Sequence, residues 1–99
     1  MIELTGRLIC ATEAQADVVR THLPLHIELT RAEPGCVRFE VTQTSDPLTW
    51  HVHEIFSTRE AFEAHQLRVK ASQWGRETAG VGRDYTVTAT AAPPDEPTF

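Results

Sequence analysis

Glu54 falls in the run Leu48, Trp50, Val52, Glu54, Phe56, in which every other member of the row is apolar. Period-two alternation reads as a half-buried strand, so the row carries a carboxylate into apolar surroundings. Desolvating an unpaired charge is costly, so Glu54 needs a partner, a water or a ligand. The opposite face of the same strand presents Thr49, His51, His53 and Ile55. His51 and His53 are a possible pair of metal ligands, but alternation turns Glu54 away from them, and no metal is expected from these three alone. His65 supplies an imidazole, the side chain best suited to exchange a proton near neutral pH. His22 and His26 are four apart and share a face if the chain is helical there. With Glu54, His51 and His53, three titratable groups fall within four residues of one strand, which makes it the first place to look for chemistry.

The elements that must position these groups follow from the pattern. Ile2, Leu4, Leu8 and Cys10 alternate with polar residues and predict a first strand to about Ala11, with Gly6 marking a bulge or a close approach. Thr12 and Gln15 form a capping-box pattern before a helix that runs to about Ala32. Its stripe is Ala16, Val19, Leu23 and Ile27, broadened by Val18 and Leu25. Pro24 predicts a kink or two abutting pieces near residues 20–24. Glu33-Pro34-Gly35 stops the helix, and Val37, Phe39 and Val41 alternate as a second strand. Ser45-Asp46-Pro47 is a turn into the Glu54 strand. Ser57 and Glu60 then suggest a cap for one helix or two short pieces ending before Gly80, and a last strand is expected over Arg83 to Ala91.

This β-α-β-β-α-β order predicts an α+β, ferredoxin-like domain over 1–91 with both helices on one face, followed by a proline-rich irregular tail over 92–99. Alternation does not assign Phe39 and Trp50 to one face, and the stock of large apolar residues suggests a second buried surface that a homodimer would cover. The 99 residues suit a single domain. A net charge of -5, from 14 acidic against 9 basic residues without a basic cluster, argues against nucleic acid or an anionic membrane as partner. The spacing of Cys10 and Cys36 fits no metal site, and they are expected to be free thiols. The chain opens on no signal-like segment and has no apolar run near membrane-spanning length, so a cytoplasmic protein is expected. Gly80-Val81-Gly82 lies before a strand rather than opening a helix, which gives no support to a nicotinamide or flavin site.

Arg31 to Val41 (R-A-E-P-G-C-V-R-F-E-V), His51 to Phe56 (H-V-H-E-I-F) and Ala61 to His65 (A-F-E-A-H) together resemble the antibiotic biosynthesis monooxygenase domain family, in particular its small quinol monooxygenases. The resemblance covers about residues 2–90. It implies a dimeric α+β barrel built from two ferredoxin-like subunits. It also implies one of several activities: cofactor-free oxygenation of aromatic polyketides or quinols, haem degradation, or isomerisation of a phosphorylated sugar derivative. By position, Glu54 resembles the family's acidic residue on the hairpin, His65 its helix histidine, and Trp74 an aromatic near the pocket. Haem-degrading relatives use an Asn, Trp and His set, and this chain contains no asparagine. The expectation is therefore oxidation of a small quinol or polycyclic phenol by dioxygen without a cofactor. His65 is the expected base, Glu54 its orienting or substrate-holding partner, Trp50, Trp74 and Tyr85 the aromatic contacts, and His22 and His26 the pocket mouth. A proton-transfer isomerase or lyase and a non-catalytic dimeric binding protein are the alternatives.

Overall fold

The computed structural model describes residues 1–89; the expected end of the last strand and the tail over 92–99 lie outside the described residues. The elements are β1 (Ile2–Ile9), α1 (Glu13–Arg31), β2 (Cys36–Gln43), β3 (Thr49–Phe56), α2 (Arg59–Ala71), α3 (Gln73–Glu77) and β4 (Gly82–Ala89). This is the expected β-α-β-β-α-β order, with the second helix in two pieces. The strands pair antiparallel in the order β2-β3-β1-β4.

That sheet is open, with β2 and β4 at its edges, and it does not close into the barrel implied by the resemblance. Four strands are too few to wrap around a core of side chains, which takes about eight. Here the helices cover the apolar face instead. Leu4, Leu8, Phe39, Val41, Trp50 and Val52 pack from the sheet against Ala16, Val19 and Leu23 of α1 and Trp74 of α3. Phe39 and Trp50 both point to this inner face. The other face does not carry the second apolar surface suggested by composition. It is a polar row in which Glu3 meets His53 at 2.6 Å, Arg7 meets Asp84 at 2.9 Å and Arg38 meets Glu40 at 3.4 Å.

Local chemistry fixes the elements. Thr12 caps α1 by accepting the Gln15 N–H, and Gln15 reaches back to the Ala11 N–H at 2.7 Å, one residue earlier than a capping box requires. Of the two outcomes expected at Pro24, the two abutting pieces do not occur: α1 is one helix across it. Its buried residues, Ala16, Val19, Leu23, His26 and Thr30, keep helical spacing on both sides of the proline, and this shared packing holds the two halves together. Thr58, not Ser57, caps α2 by accepting the Ala61 N–H. The Ser57 N–H is instead bonded to the Gly35 carbonyl at 2.8 Å. Gly6 marks a close approach, since a Cβ there would lie 2.1 Å from the Asp84 carbonyl oxygen, and the ladder to β4 runs through it without a bulge. Gly35 has φ +85°, the left-handed conformation that ends the α1 to β2 turn.

Candidate functional site

Five elements deliver polar groups to the space between sheet and helices. Glu54 on β3 sits opposite Leu4 and Phe39 in the ladders and is 6% exposed. His65 is the one fully buried residue of α2, flanked one turn away by the half-buried Phe62 and Val69. His26 occupies a position on the buried stripe of α1 where the spacing calls for an apolar residue. Trp74, on the short α3, lies flat on His26 with ring centroids 4.5 Å apart and planes 5° from parallel. With Tyr85 and Arg83 from β4, these residues line a cavity of about 50 Å³, room for only about three or four waters.

The orientation of His65 is set from behind. Its Nδ1 lies 2.7 Å from Glu33 Oε1. A carboxylate only accepts, so Nδ1 carries the proton, and Nε2 keeps its lone pair for the cavity. The other oxygen of Glu33 accepts from Arg68 Nε at 2.6 Å, and Arg68 also donates to Thr30 Oγ1 at 2.9 Å. On the cavity side, His65 Nε2 is 3.7 Å from Glu54 Oε1, too far for a hydrogen bond and close enough for both atoms to hold one small group. Glu54 Oε1 and His26 Nδ1 are buried without a hydrogen-bond partner among the described residues.

Burial sets the charge state. Burial first, then the negative charge of Glu33, pushes Glu54 from 4.5 up to about 7. Burial lowers His65, against an upward pull from its hydrogen bond to Glu33 and from the Glu33 charge. Burial pushes His26 from 6.5 down to about 3, helped by His65, Arg68 and Arg83. Tyr85 is raised by burial to about 12. Near neutral pH the cavity therefore holds neutral rings beside a carboxyl that exchanges its proton in that same range. Such a pair can take a proton from a hydroxyl and return it.

The structure brings together Glu54, His65, His26, Trp74 and Tyr85 of the expected residues. Trp50 is a core residue beside Leu8 and does not line the cavity. His22 lines a separate groove between α1 and the α2–α3 junction, with Leu25, Leu29, Arg68 and Gln73; His26 and Trp74 border that groove too. His51 and His53 face outward, away from Glu54, so the three do not form one metal site. Glu33 and Arg68 escaped the sequence reading. Glu33 reads as the polar end of a helix, and nothing local tells a buried acceptor from a solvated turn residue. His26 had a signal, its place three residues after Leu23 on the buried stripe.

The fold and site define a ferredoxin-like domain with an internal cavity that holds a buried carboxyl and imidazoles. The chain belongs to the antibiotic biosynthesis monooxygenase (ABM) family, whose sequence model matches residues 1–74. Among solved structures it is similar to an antibiotic biosynthesis monooxygenase assignment from Nitrosomonas europaea, at 20% identity and TM-score 0.75, covering 93% of this chain and 100% of that one. It is also similar to Rv0793 of Mycobacterium tuberculosis, at 21% identity, TM-score 0.71, and 95% and 98% coverage. A third likeness, assigned to the same family, is from Deinococcus radiodurans, at 20% identity, TM-score 0.72, and 99% and 100% coverage. No curated protein matches the chain. At these identities the structural likenesses show the fold. No helix among the described residues is long and apolar enough to cross a membrane.

Proposed function

We propose that this protein oxidises a small, uncharged hydroxy-aromatic compound of the quinol type with dioxygen, the substrate supplying the electrons. The observation that carries the reading is the His65 lone pair, fixed by Glu33 and aimed beside Glu54 in a cavity lined by both polar and apolar side chains. A substrate hydroxyl gives its proton to His65 Nε2. The resulting aryloxide passes one electron to dioxygen, and the two radicals combine as a ring peroxide that takes a proton back. Loss of water leaves a new ring carbonyl, so a dihydroxybenzene and one dioxygen yield one hydroxyquinone and one water. Glu54, in its protonated form, donates to that oxygen and steadies the negative charge that develops there. Trp74 and Tyr85 provide aromatic walls.

The size of the cavity favours one ring over a polycyclic phenol, because about 150 Å³ is needed to take benzene, and even one ring requires a side chain at the mouth to move. A phosphorylated sugar, one substrate type the resemblance implies, meets no free cation among the described residues there. Arg68 is bonded to Glu33 and Thr30, and Arg83 to the Thr78 and Val81 carbonyls and the Thr78 hydroxyl. A homodimer is the assembly we expect, on family grounds, and light scattering of the purified protein tests it.

The test is oxygen uptake with a panel of single-ring quinols, corrected for autoxidation, with mass analysis of the product. The reading expects a product that has gained one oxygen and lost two hydrogens, formed by the wild type and strongly reduced in Glu54→Gln. Equal turnover without oxygen contradicts it and favours the proton-transfer alternative.

A further inference from the structure

Two buried polar atoms on residues that line the cavity have no hydrogen-bond partner among the described residues: Glu54 Oε1 and His26 Nδ1, on residues 6% and 5% exposed. Leaving a buried polar group unpaired is costly, so both atoms call for a group from outside the chain. Their residues line the same cavity. The His26 and His65 rings are 6.2 Å apart and tilted by 35°, and the Phe39 ring touches both, at 5.2 Å and 5.8 Å. Glu54 Oε1 stands beside the His65 ring, 3.7 Å from Nε2.

A ligand that satisfies both ends must present two hydrogen-bonding groups to the same side. Two hydroxyls on adjacent ring carbons do so, whereas two at opposite ends of the ring point apart, and only one meets the wall. We propose that the cavity recognises a vicinal dihydroxy-arene, one hydroxyl lying between Glu54 Oε1 and His65 Nε2 and its neighbour donating to His26 Nδ1. This inference rests on the hydroxy-aromatic reading above and narrows it to the catechol class. His26 suits the second role because burial keeps it neutral, and its stack on Trp74 holds the ring in place. An acceptor that never takes up a proton near neutral pH selects a hydroxyl donor and leaves proton exchange to the Glu54 and His65 end.

Calorimetric titration without oxygen separates recognition from turnover. Catechol and hydroquinone have the same atoms, and phenol carries one hydroxyl. Catechol is expected to bind about tenfold or more tightly than either of the others. His26→Phe keeps a ring on Trp74 and removes the nitrogen; it is expected to bring catechol to the phenol level and leave phenol unchanged. Hydroquinone binding as tightly as catechol overturns the inference, as does a catechol preference that survives His26→Phe, or no binding by any of the three at millimolar concentration. If the variant does not fold, the wild-type ratio of catechol to hydroquinone decides alone. Air is then admitted. Tight catechol binding without conversion leaves this inference standing and removes the oxidation reading, while hydroquinone bound equally well and oxidised does the reverse.

Discussion

Two glutamate-histidine pairs in this chain have nearly the same length and opposite surroundings. Glu3 meets His53 at 2.6 Å on the outer face of the sheet, with side chains 40% and 25% exposed. Glu33 meets His65 at 2.7 Å between α1 and α2, with side chains 14% and 3% exposed. Water competes for the outer pair, and an exposed pair of this kind contributes at most about 1 kcal/mol. The inner pair is screened by protein, tied to Arg68, and backed on its other nitrogen by the unpaired Glu54. The distance between partners says little about their use; burial and the next neighbour decide it.

Replacing the two histidines is the sharpest way to break this comparison. His65→Ala is expected to lower turnover of a quinol substrate by about 100-fold or more, the usual scale for a lost general base, while His53→Ala stays within about twofold. Steady-state rates on both folded variants check it; equal losses remove the distinction.

The glutamates test the same contrast in stability. Glu33→Gln leaves Arg68 without its charge partner and His65 without its strongest acceptor, at an expected cost of about 3 kcal/mol. Glu3→Gln is expected to cost under about 1 kcal/mol. Urea unfolding of both variants reads the difference directly.

A smaller effect concerns pH. Glu54 keeps its proton up to about 7 when folded and loses it near its ordinary value of 4.5 when unfolded. Between those values the folded chain binds one more proton, so the Glu54 contribution to stability falls as pH rises through that window. His26 acts in the opposite sense: its pKa falls from 6.5 unfolded to about 3 folded, so its contribution is intact above 6.5 and is lost as pH falls toward 3. His65, also lowered by burial, adds to the acid side. Between about 4.5 and 6.5 the two contributions therefore oppose each other, while below 4.5 the histidines alone lower stability as pH falls. Glu54→Gln should remove the opposing loss between 4.5 and about 7, gaining of the order of 2 kcal/mol over wild type at about pH 8 relative to about pH 4, allowing for partial hydration. Thermal or urea unfolding across pH checks this; an unchanged slope between 4.5 and about 7 in the variant places the ionisation elsewhere.

Much of the inner face was legible because alternation is a local rule. It placed Trp50, Val52, Glu54 and Phe56 on one side of β3 and His51 and His53 on the other, as found. The pairing of Glu54 with His65 came from the resemblance, which did not say how they are oriented, because that depends on Glu33, distant in sequence and brought in by the α1 to β2 turn. Two separate helical pieces at Pro24 do not form, because the packing on both sides of the proline offsets its local penalty. The second apolar face failed for a similar reason: composition counts large side chains but does not say that Phe39 and Trp50 share the face covered by the helices. The barrel came from the resemblance alone, and the open β2-β3-β1-β4 sheet corrects it.

The account turns on the state of one imidazole, and the nitrogen chemical shifts of His65 in isotope-labelled protein read it directly. At neutral pH the geometry predicts a neutral ring with the proton on Nδ1 and a free lone pair on Nε2, moving toward a protonated signature in Glu54→Gln only if pH is lowered. A ring charged at neutral pH, or one with its proton on Nε2, contradicts the claim that Glu33 holds His65 as a base facing the cavity.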